Sequence, residues 1–386
     1  MRSRIVNPLA SVSDLEVFFD LVFVYALSRV RTAVTVGPSL GLIRLVLLVL
    51  LIWWAWVAFT WIGSVVDLGR PWISVTFMAS MGAMFVVAVW LPSWFQGGIA
   101  SLVVALAYLG IRLGFCLLVY VAGKEHESLR HIFLKLRWAL LLTAVALIVG
   151  AVVGGTVQIV LLAVVVLIEF LRPIFVGPLA IPMSIPHFVD RYGLVVMAAI
   201  GEGLLSLGYA ASQQHLSLPL LVFCAAAFLL DCLLWSAYFR VLAPQLRDRI
   251  ESAEGTNSVL LARDTFSYLH LLLVAGLVLI ASERTAIVGS LGYSGWLARP
   301  DHYSAYITAI ACLLITGSFA LMRLRTRLQV PVRTWVAVGI SILFIFAAPF
   351  LATFEIGIFL LCAITLIAFP AKGELSTAPD QAFVVD

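Results

Sequence analysis

The chain has 386 residues, of which 63% are apolar and 11% charged, and its formal net charge is +4. So large an apolar share with so few charges lies outside the range of soluble domains and excludes a water-soluble enzyme or regulator. The small positive balance carries no nucleic-acid signal, because the basic residues sit in short segments beside apolar runs with no aromatic-interleaved patch. No nucleic-acid partner is expected; the expected partners are membrane lipid and a small-molecule or lipophilic substrate.

Apolar runs of membrane-crossing length succeed one another almost without pause. Twelve can be drawn, at 14–34, 41–66, 72–95, 99–122, 134–154, 156–174, 189–210, 218–243, 262–282, 303–323, 333–351 and 354–371. Backbone in lipid has to satisfy its own hydrogen bonds, so each run is expected to be a helix. The expected fold class is all-α, a polytopic integral membrane protein. The first run is no removable signal peptide, since acids interrupt it and it lacks a basic-apolar-small cleavage pattern. Most of the 24 basic residues fall on the side that would hold the amino terminus, which places both termini in the cytoplasm.

Charges inside these runs are costly and call for a partner or a role. In the first run Glu16 and Asp20, four residues apart, share a helix face, and Arg29 comes after them. The second run carries Trp53, Trp54, Trp56 and Trp61, matched in the eighth by Trp235, Tyr238 and Phe239. These are packing or belt residues, or else an aromatic wall for a ligand in which Trp54 and Trp235 take part. Arg112 lies mid-run, too deep to reach water easily, so it must meet a carboxylate or an anionic ligand, with Glu169 and Asp20 the nearest candidates. At the start of the seventh run His187, Asp190 and Arg191 form either a solvated cap or an interfacial gate. Glu202 lies about 20 Å farther along at 1.5 Å per residue, flanked by Gly201 and Gly203, which permit close approach. It is a functional acid or a structural partner of an arginine. The segment from Arg263 to His270 opens the ninth run, and Tyr268 and His270 lie a turn or two inside it. His270 is either a proton carrier or a neutral ring bonded to a carbonyl. Asp231, Glu169 and Glu355 read as structural. The five cysteines fall within the runs as small buried residues. No phosphate-binding loop, dinucleotide fingerprint, metal cluster or nucleophile elbow is present in the sequence, so no cofactor and no metal are expected.

The chain also looks like six helices written twice. Residues Phe19 to Val24 align with Tyr192 to Met197, and Trp138 to Pro173 align without gaps with Trp335 to Pro370, with Trp138/Trp335, Thr156/Thr353, Ile159/Ile356 and Pro173/Pro370 identical. The expected organisation is a first six-helix repeat at 1–174, a Pro-rich connector at 175–188, a second repeat at 189–371 and a polar tail at 372–386. An even number of helices per repeat makes the halves parallel. The alignment sets Arg29 against Glu202, and these are expected to approach each other.

Leu15 to Val24, then Trp53 to Trp61, then His187 to Glu202, then Ala262 to His270 with Gly276, resemble in order the blocks of the bacterial low temperature requirement protein A family. The resemblance covers nearly the whole chain. It implies a multi-pass protein of the bacterial inner membrane, in a family named for a need during growth in the cold and carrying no settled molecular activity. The chain departs from the pattern at Ala58, where an acid is common, at Gly63 to Val66, which lack the usual Asn and Arg, at Gly203 in place of a Ser, and at Arg240 in place of an Asp. If those polar groups define the family's ligand, this member takes something less polar.

The residues support two functional readings. In the first the protein is a secondary carrier whose midplane site is built from Glu16, Asp20, Arg112, Asp190, Arg191, Glu202, Tyr268, His270, Trp54 and Trp235, with Arg112 orienting Asp20, Glu202 and His270. In the second it is an intramembrane enzyme in which Asp20 or Glu202 acts as general acid on an isoprenoid-like substrate. An accessory membrane protein, with every acid paired, is the third possibility.

Overall fold

The computed structural model describes residues 12–30, 38–125, 127–176, 185–253, 255–295 and 298–369. The expected tail at 372–386 and most of the expected connector lie outside them. Every regular element among the described residues is helical. The order is α1 (Asp14–Ser28), α2 (Pro38–Gly63), α3 (Pro71–Trp90), α4 (Gly98–Glu125), α5 (Glu127–Val153), α6 (Gly155–Val176) and α7 (Ile185–Ser212). Then come α8 (Leu218–Trp235), α9 (Ala243–Glu251), α10 (Thr256–Ala262), α11 (His270–Ser294), α12 (His302–Arg325), α13 (Val332–Ala347) and α14 (Thr353–Ala368). Two π-helical segments, Ser236–Leu242 and Arg263–Leu269, join α8 to α9 and α10 to α11 without a break.

Nine helical stretches among the described residues have the length and hydropathy to cross a membrane. The 15-residue α1 and the apolar stretches Trp138–Val153 and Thr353–Ala368 are shorter. This is a helical membrane protein, and the large apolar side chains left on its surface, among them Phe18, Phe85, Leu142, Phe228 and Phe346, are those a bilayer would cover.

Local sequence explains several boundaries. Ser13 and Glu16 close a capping box at the start of α1, the S-x-x-E device that satisfies orphan N–H groups at a helix start. Gly154 and Gly155, at φ 71° and 57°, reverse the chain between α5 and α6 in a conformation that other L-residues resist. Pro186 stands in the first turn of α7, where its missing N–H costs no helix bond. Two expected breaks prove to be helical. The connector drawn at 175–188 is helix at both edges, to Val176 and from Ile185. The ninth run, expected to end at 282, continues as α11 to Ser294, so Glu283 and Arg284 stand inside a helix, both buried.

In the first part of the chain α1 packs on α2 and α3, α3 on α4, α4 on α5, α5 on α6, and α6 returns to α2. In the second part α7 packs on α8 and α11, α11 on α12, α12 on α13, α13 on α14, and α14 returns to α8. The two parts meet along α1 and α7. Polar stitches fix the packing: Gln158 Nε2 donates to Trp94 O at 3.0 Å and Ser101 Oγ at 2.9 Å, and Thr316 and Ser341 exchange a hydrogen bond at 3.0 Å between α12 and α13.

Helices α11 and α12 cross closely at Gly276, where a Cβ would stand 2.7 Å from Ile315 Cγ1 and 2.9 Å from Ala311 O. Gly276→Ala is therefore expected to destabilise the bundle by about 1–3 kcal/mol through overpacking. Gly289→Ala, where a Cβ would meet nothing within 4 Å, should be neutral or slightly stabilising; thermal unfolding of the two variants in detergent checks the contrast.

Candidate functional site

Because Glu16 and Asp20 are one turn apart on α1, and His187 and Arg191 one turn apart on α7, two parallel helices in contact can match them rung for rung. That is the arrangement found. His187 Nε2 lies 3.3 Å from Glu16 Oε2, and Arg191 Nη2 donates to Asp20 Oδ1 at 2.8 Å, each pair being 171 residues apart in the chain. Arg191 Nη1 also lies 3.6 Å from Glu16 Oε1. Asp20 Oδ1 accepts a second hydrogen bond, from Trp56 Nε1 at 2.8 Å, while Glu16 Oε2 accepts from the backbone N–H and the hydroxyl of Ser13, both at 3.0 Å. Asp20 and Arg191 are each 1% exposed. At that depth an ion costs several kcal/mol unless paired and hydrogen-bonded. Among the described residues the cationic groups facing the two carboxylates are Arg191 and His187. With His187 neutral, two carboxylates meet one guanidinium, and the cluster needs one proton to be balanced.

Against this cluster lies a sheet of aromatic and hydroxyl groups. Trp56 and Trp53 stand 5.0 Å apart by ring centroids, and Trp56 meets Tyr192 edge-on at 4.8 Å. Trp61 Nε1 donates to Ser267 Oγ at 2.9 Å, Trp53 Nε1 to Ser267 O at 2.7 Å, and Tyr192 OH shares a bond with Ser267 Oγ at 3.2 Å. Ser267 belongs to the second π-helical segment. Beyond Tyr192, at 5.4 Å, lies His270, wholly buried, and it joins the two π segments to each other. Its Nδ1 lies 2.9 Å from Thr265 O and its Nε2 2.9 Å from Tyr238 OH. A carbonyl only accepts, so Nδ1 carries the hydrogen; in the neutral ring Nε2 is then the acceptor and Tyr238 the donor.

The remaining sequence candidates fall elsewhere. Of its two expected partners Arg112 meets Glu169, at 2.8 Å, and not Asp20, and it is not joined to Glu202 or His270 as the carrier reading expected; Arg172 approaches the other oxygen of Glu169 at 2.8 Å. Glu202 is half-buried and accepts from Ser206 Oγ, one turn on, at 3.0 Å; this local partner takes the place of the expected Arg29, and the ion pairs joining α1 to α7 come from Arg191. Asp190, exposed, pairs with Arg247. Tyr268 OH donates to Phe170 O at 2.8 Å and its ring meets Trp54 at 5.0 Å, beside the Arg112 cluster. Trp235 is exposed on the outer surface. Asp231 and Arg284 form a double ion pair between α8 and α11 at 2.8 Å, next to a cavity of about 50 Å³ lined by Glu283, Thr308, Thr353 and apolar side chains.

Three contributors, Ser13, Ser267 and Glu283, escape a reading of the sequence, as does the bond of Trp56 to Asp20. Ser13 is signalled only by its spacing to Glu16. Trp56 and Ser267 carry no spacing signal, only the general need of a buried indole N–H or hydroxyl for a partner. Glu283 sits at the edge of an apolar run, where a hydropathy window ends.

Arg191→Gln is expected to cost about 3–5 kcal/mol, because it leaves Asp20 and Glu16 without their guanidinium, and Asp20→Asn clearly less, because Glu16 still answers Arg191, while the double variant should lose less than the sum; a thermal-unfolding cycle in detergent measures this. Tyr238→Phe removes the only donor described for His270 Nε2 and is expected to cost about 1–3 kcal/mol, read by the same assay.

Two comparisons bear on identity. An uncharacterized protein of Rhizobium meliloti (strain 1021) is 25% identical over 358 residues, spanning 88% of this chain and 84% of that protein. The family model described as bacterial low temperature requirement A protein (LtrA) matches residues 11–369. A match over almost the full length, running from the capping box of α1 to the end of α14 and so including every residue of the α1–α7 cluster, means that the chain belongs to the bacterial low temperature requirement A family.

Proposed function

We propose that the protein is a proton-coupled secondary carrier for a small molecule, with twelve membrane-crossing helices in two parallel six-helix halves and both termini on the cytoplasmic side of a bacterial inner membrane. The observation that carries this reading is the charge count at the α1–α7 contact. Glu16, Asp20, Arg191 and His187 need one proton for balance, and they sit on the seam between the two halves, where a carrier of this construction binds its coupling ion.

The halves are supported by the packing order. The neighbours of α1 to α6 recur in α7, α8, α11, α12, α13 and α14, including the closing contact of the sixth helix of each set with the second. Parallel α1 and α7, matched rung for rung, agree with an axis along the membrane normal. The orientation rests on Arg247, Arg263 and Arg325, which pair with Asp190 and Asp264 at helix ends on the His187 side, and on the excess of basic residues expected on the cytoplasmic face. In this reading the contact of α1 with α7 is the line about which the halves rock, Asp20 holds the proton, and His270 with Tyr238 fixes the π segments that face it.

The test is electrical. Proteoliposomes on a solid-supported membrane, pulsed with panels of amino acids, organic acids and amines, are expected to give currents for one solute class that change sign when the pH gradient is reversed, and Asp20→Asn should abolish the dependence on the gradient. Currents that ignore pH, or that persist unchanged in Asp20→Asn, would overturn the proposal.

A further inference from the structure

We infer that Arg112, Glu169 and Arg172, between α4 and α6, form a binding site for a monovalent organic anion: a carboxylate carried on an apolar body. Glu169, 1% exposed, is ion-paired with both guanidinium groups, each at 2.8 Å. The other titratable groups facing the two arginines are Tyr108 and Cys116. Arginine keeps its charge, so one carboxylate answers two cations, and the cluster holds one positive charge in excess. Such an excess inside a bundle demands an anionic partner.

The donors are in place for one. Arg112 is 2% exposed, and its Nε and Nη1 have no hydrogen-bond partner among the described residues. Trp54 Nε1 is likewise buried without a partner. Tyr108 OH donates to Leu51 O at 3.2 Å, and one turn beyond each of these, on helices separated by a single crossing, come Arg112 and Trp54. Trp54 also meets Phe170 edge-on at 5.7 Å, next in sequence to Glu169. The unfilled donors, Arg112 Nε and Nη1, Arg172 Nη1 and Trp54 Nε1, outnumber the one unfilled acceptor, Glu169 Oε2, which is already ion-paired to Arg172, so what the site lacks is a further acceptor. Leaving charged donors unfilled costs more than a neutral vacancy would.

Size and charge narrow the class. A single negative charge balances the cluster, whereas a phosphate dianion would overshoot. The walls are aromatic: Phe115 lies under both guanidinium groups, at 5.3 Å from Arg112 and 5.7 Å from Arg172, with Trp54 and Phe170 on the α2 and α6 sides. Those faces attract the cations but accept no conventional hydrogen bond, and they suit an apolar ligand body. Arg172 keeps 16% of its side chain exposed, which leaves an approach to the charge.

Binding of radiolabelled benzoate to the purified protein, by scintillation proximity in a sulfate buffer free of monovalent anions, tests the assignment. Saturable binding is expected, displaced by unlabelled acetate but not by benzamide, the uncharged isostere. Arg112→Gln should weaken it roughly tenfold or more, and Glu169→Gln, which removes the competing negative charge, should tighten it. Absence of saturable binding to the folded wild-type protein, equal displacement by benzamide, or unchanged affinity in Arg112→Gln would overturn the inference. Should Arg112→Gln fail to fold, the wild-type and Glu169→Gln measurements decide. The assay needs no transport, so its failure and that of the proton-coupled reading are told apart.

Discussion

Every ion in a low-dielectric bundle has to be answered within a few ångströms, and this requirement arranges the rest of the molecule. Bringing Asp20 to 1% exposure obliges α7 to lie beside α1 with Arg191 at the matching height. It also obliges α2 to turn Trp56 inward, because the same carboxylate oxygen takes both donors. Charge-assisted bonds of this length are about twice as strong as neutral ones, and they come with a fixed direction. The aromatic layer formed by Trp53, Trp56, Trp61 and Tyr192 is then set by the placement of Trp56, and Ser267 and His270 are reached through it. The most enclosed helices, α2, α11 and α12, include those nearest this layer.

The two π-helical segments belong to the same logic. A π turn widens the helix by one residue and re-aims the side chains beyond it, and such turns concentrate at functional positions. Here the backbone N–H of His270 reaches back to Thr265 O, and the imidazole of the same residue uses that same carbonyl. The ring is thereby held in one tautomer with Nε2 turned toward Tyr238, itself inside the other π segment. Two irregular turns that would each be a weak point are tied together by one neutral hydrogen bond, in a position where a charged pair would have had to be compensated in turn.

The helical membrane architecture is legible in the sequence because hydropathy over a span of residues reports the solvent directly. The shared face of Glu16 and Asp20 is legible for a similar reason, since four-residue spacing is a local property. Partners across helices are not: that α1 meets α7 through Arg191 and not through an Arg29–Glu202 pair, and which of Glu169 and Asp20 takes Arg112, depends on the height at which helices dock, which no local pattern encodes. Glu283 and Arg284 read as a loop because each charge lowers the window average, whereas in the folded protein Asp231 from α8 answers Arg284 and the helix continues. Glu16 reads as a buried acid alone, although Ser13 three residues before it marks a cap, and it serves as both.

Rung-for-rung pairing between α1 and α7 has a mechanical meaning. Arg191 lies within reach of two carboxylates stacked one turn apart, closer to Asp20 and farther from Glu16. A displacement of α7 along α1 toward Glu16 exchanges one carboxylate for the other instead of stranding a guanidinium in the bundle. Helices that slide by whole turns past each other need such a ladder of equivalent partners. The seam is in this sense a two-position detent, with the electrostatic cost of the intermediate travel spread over a distance shorter than a single helical pitch.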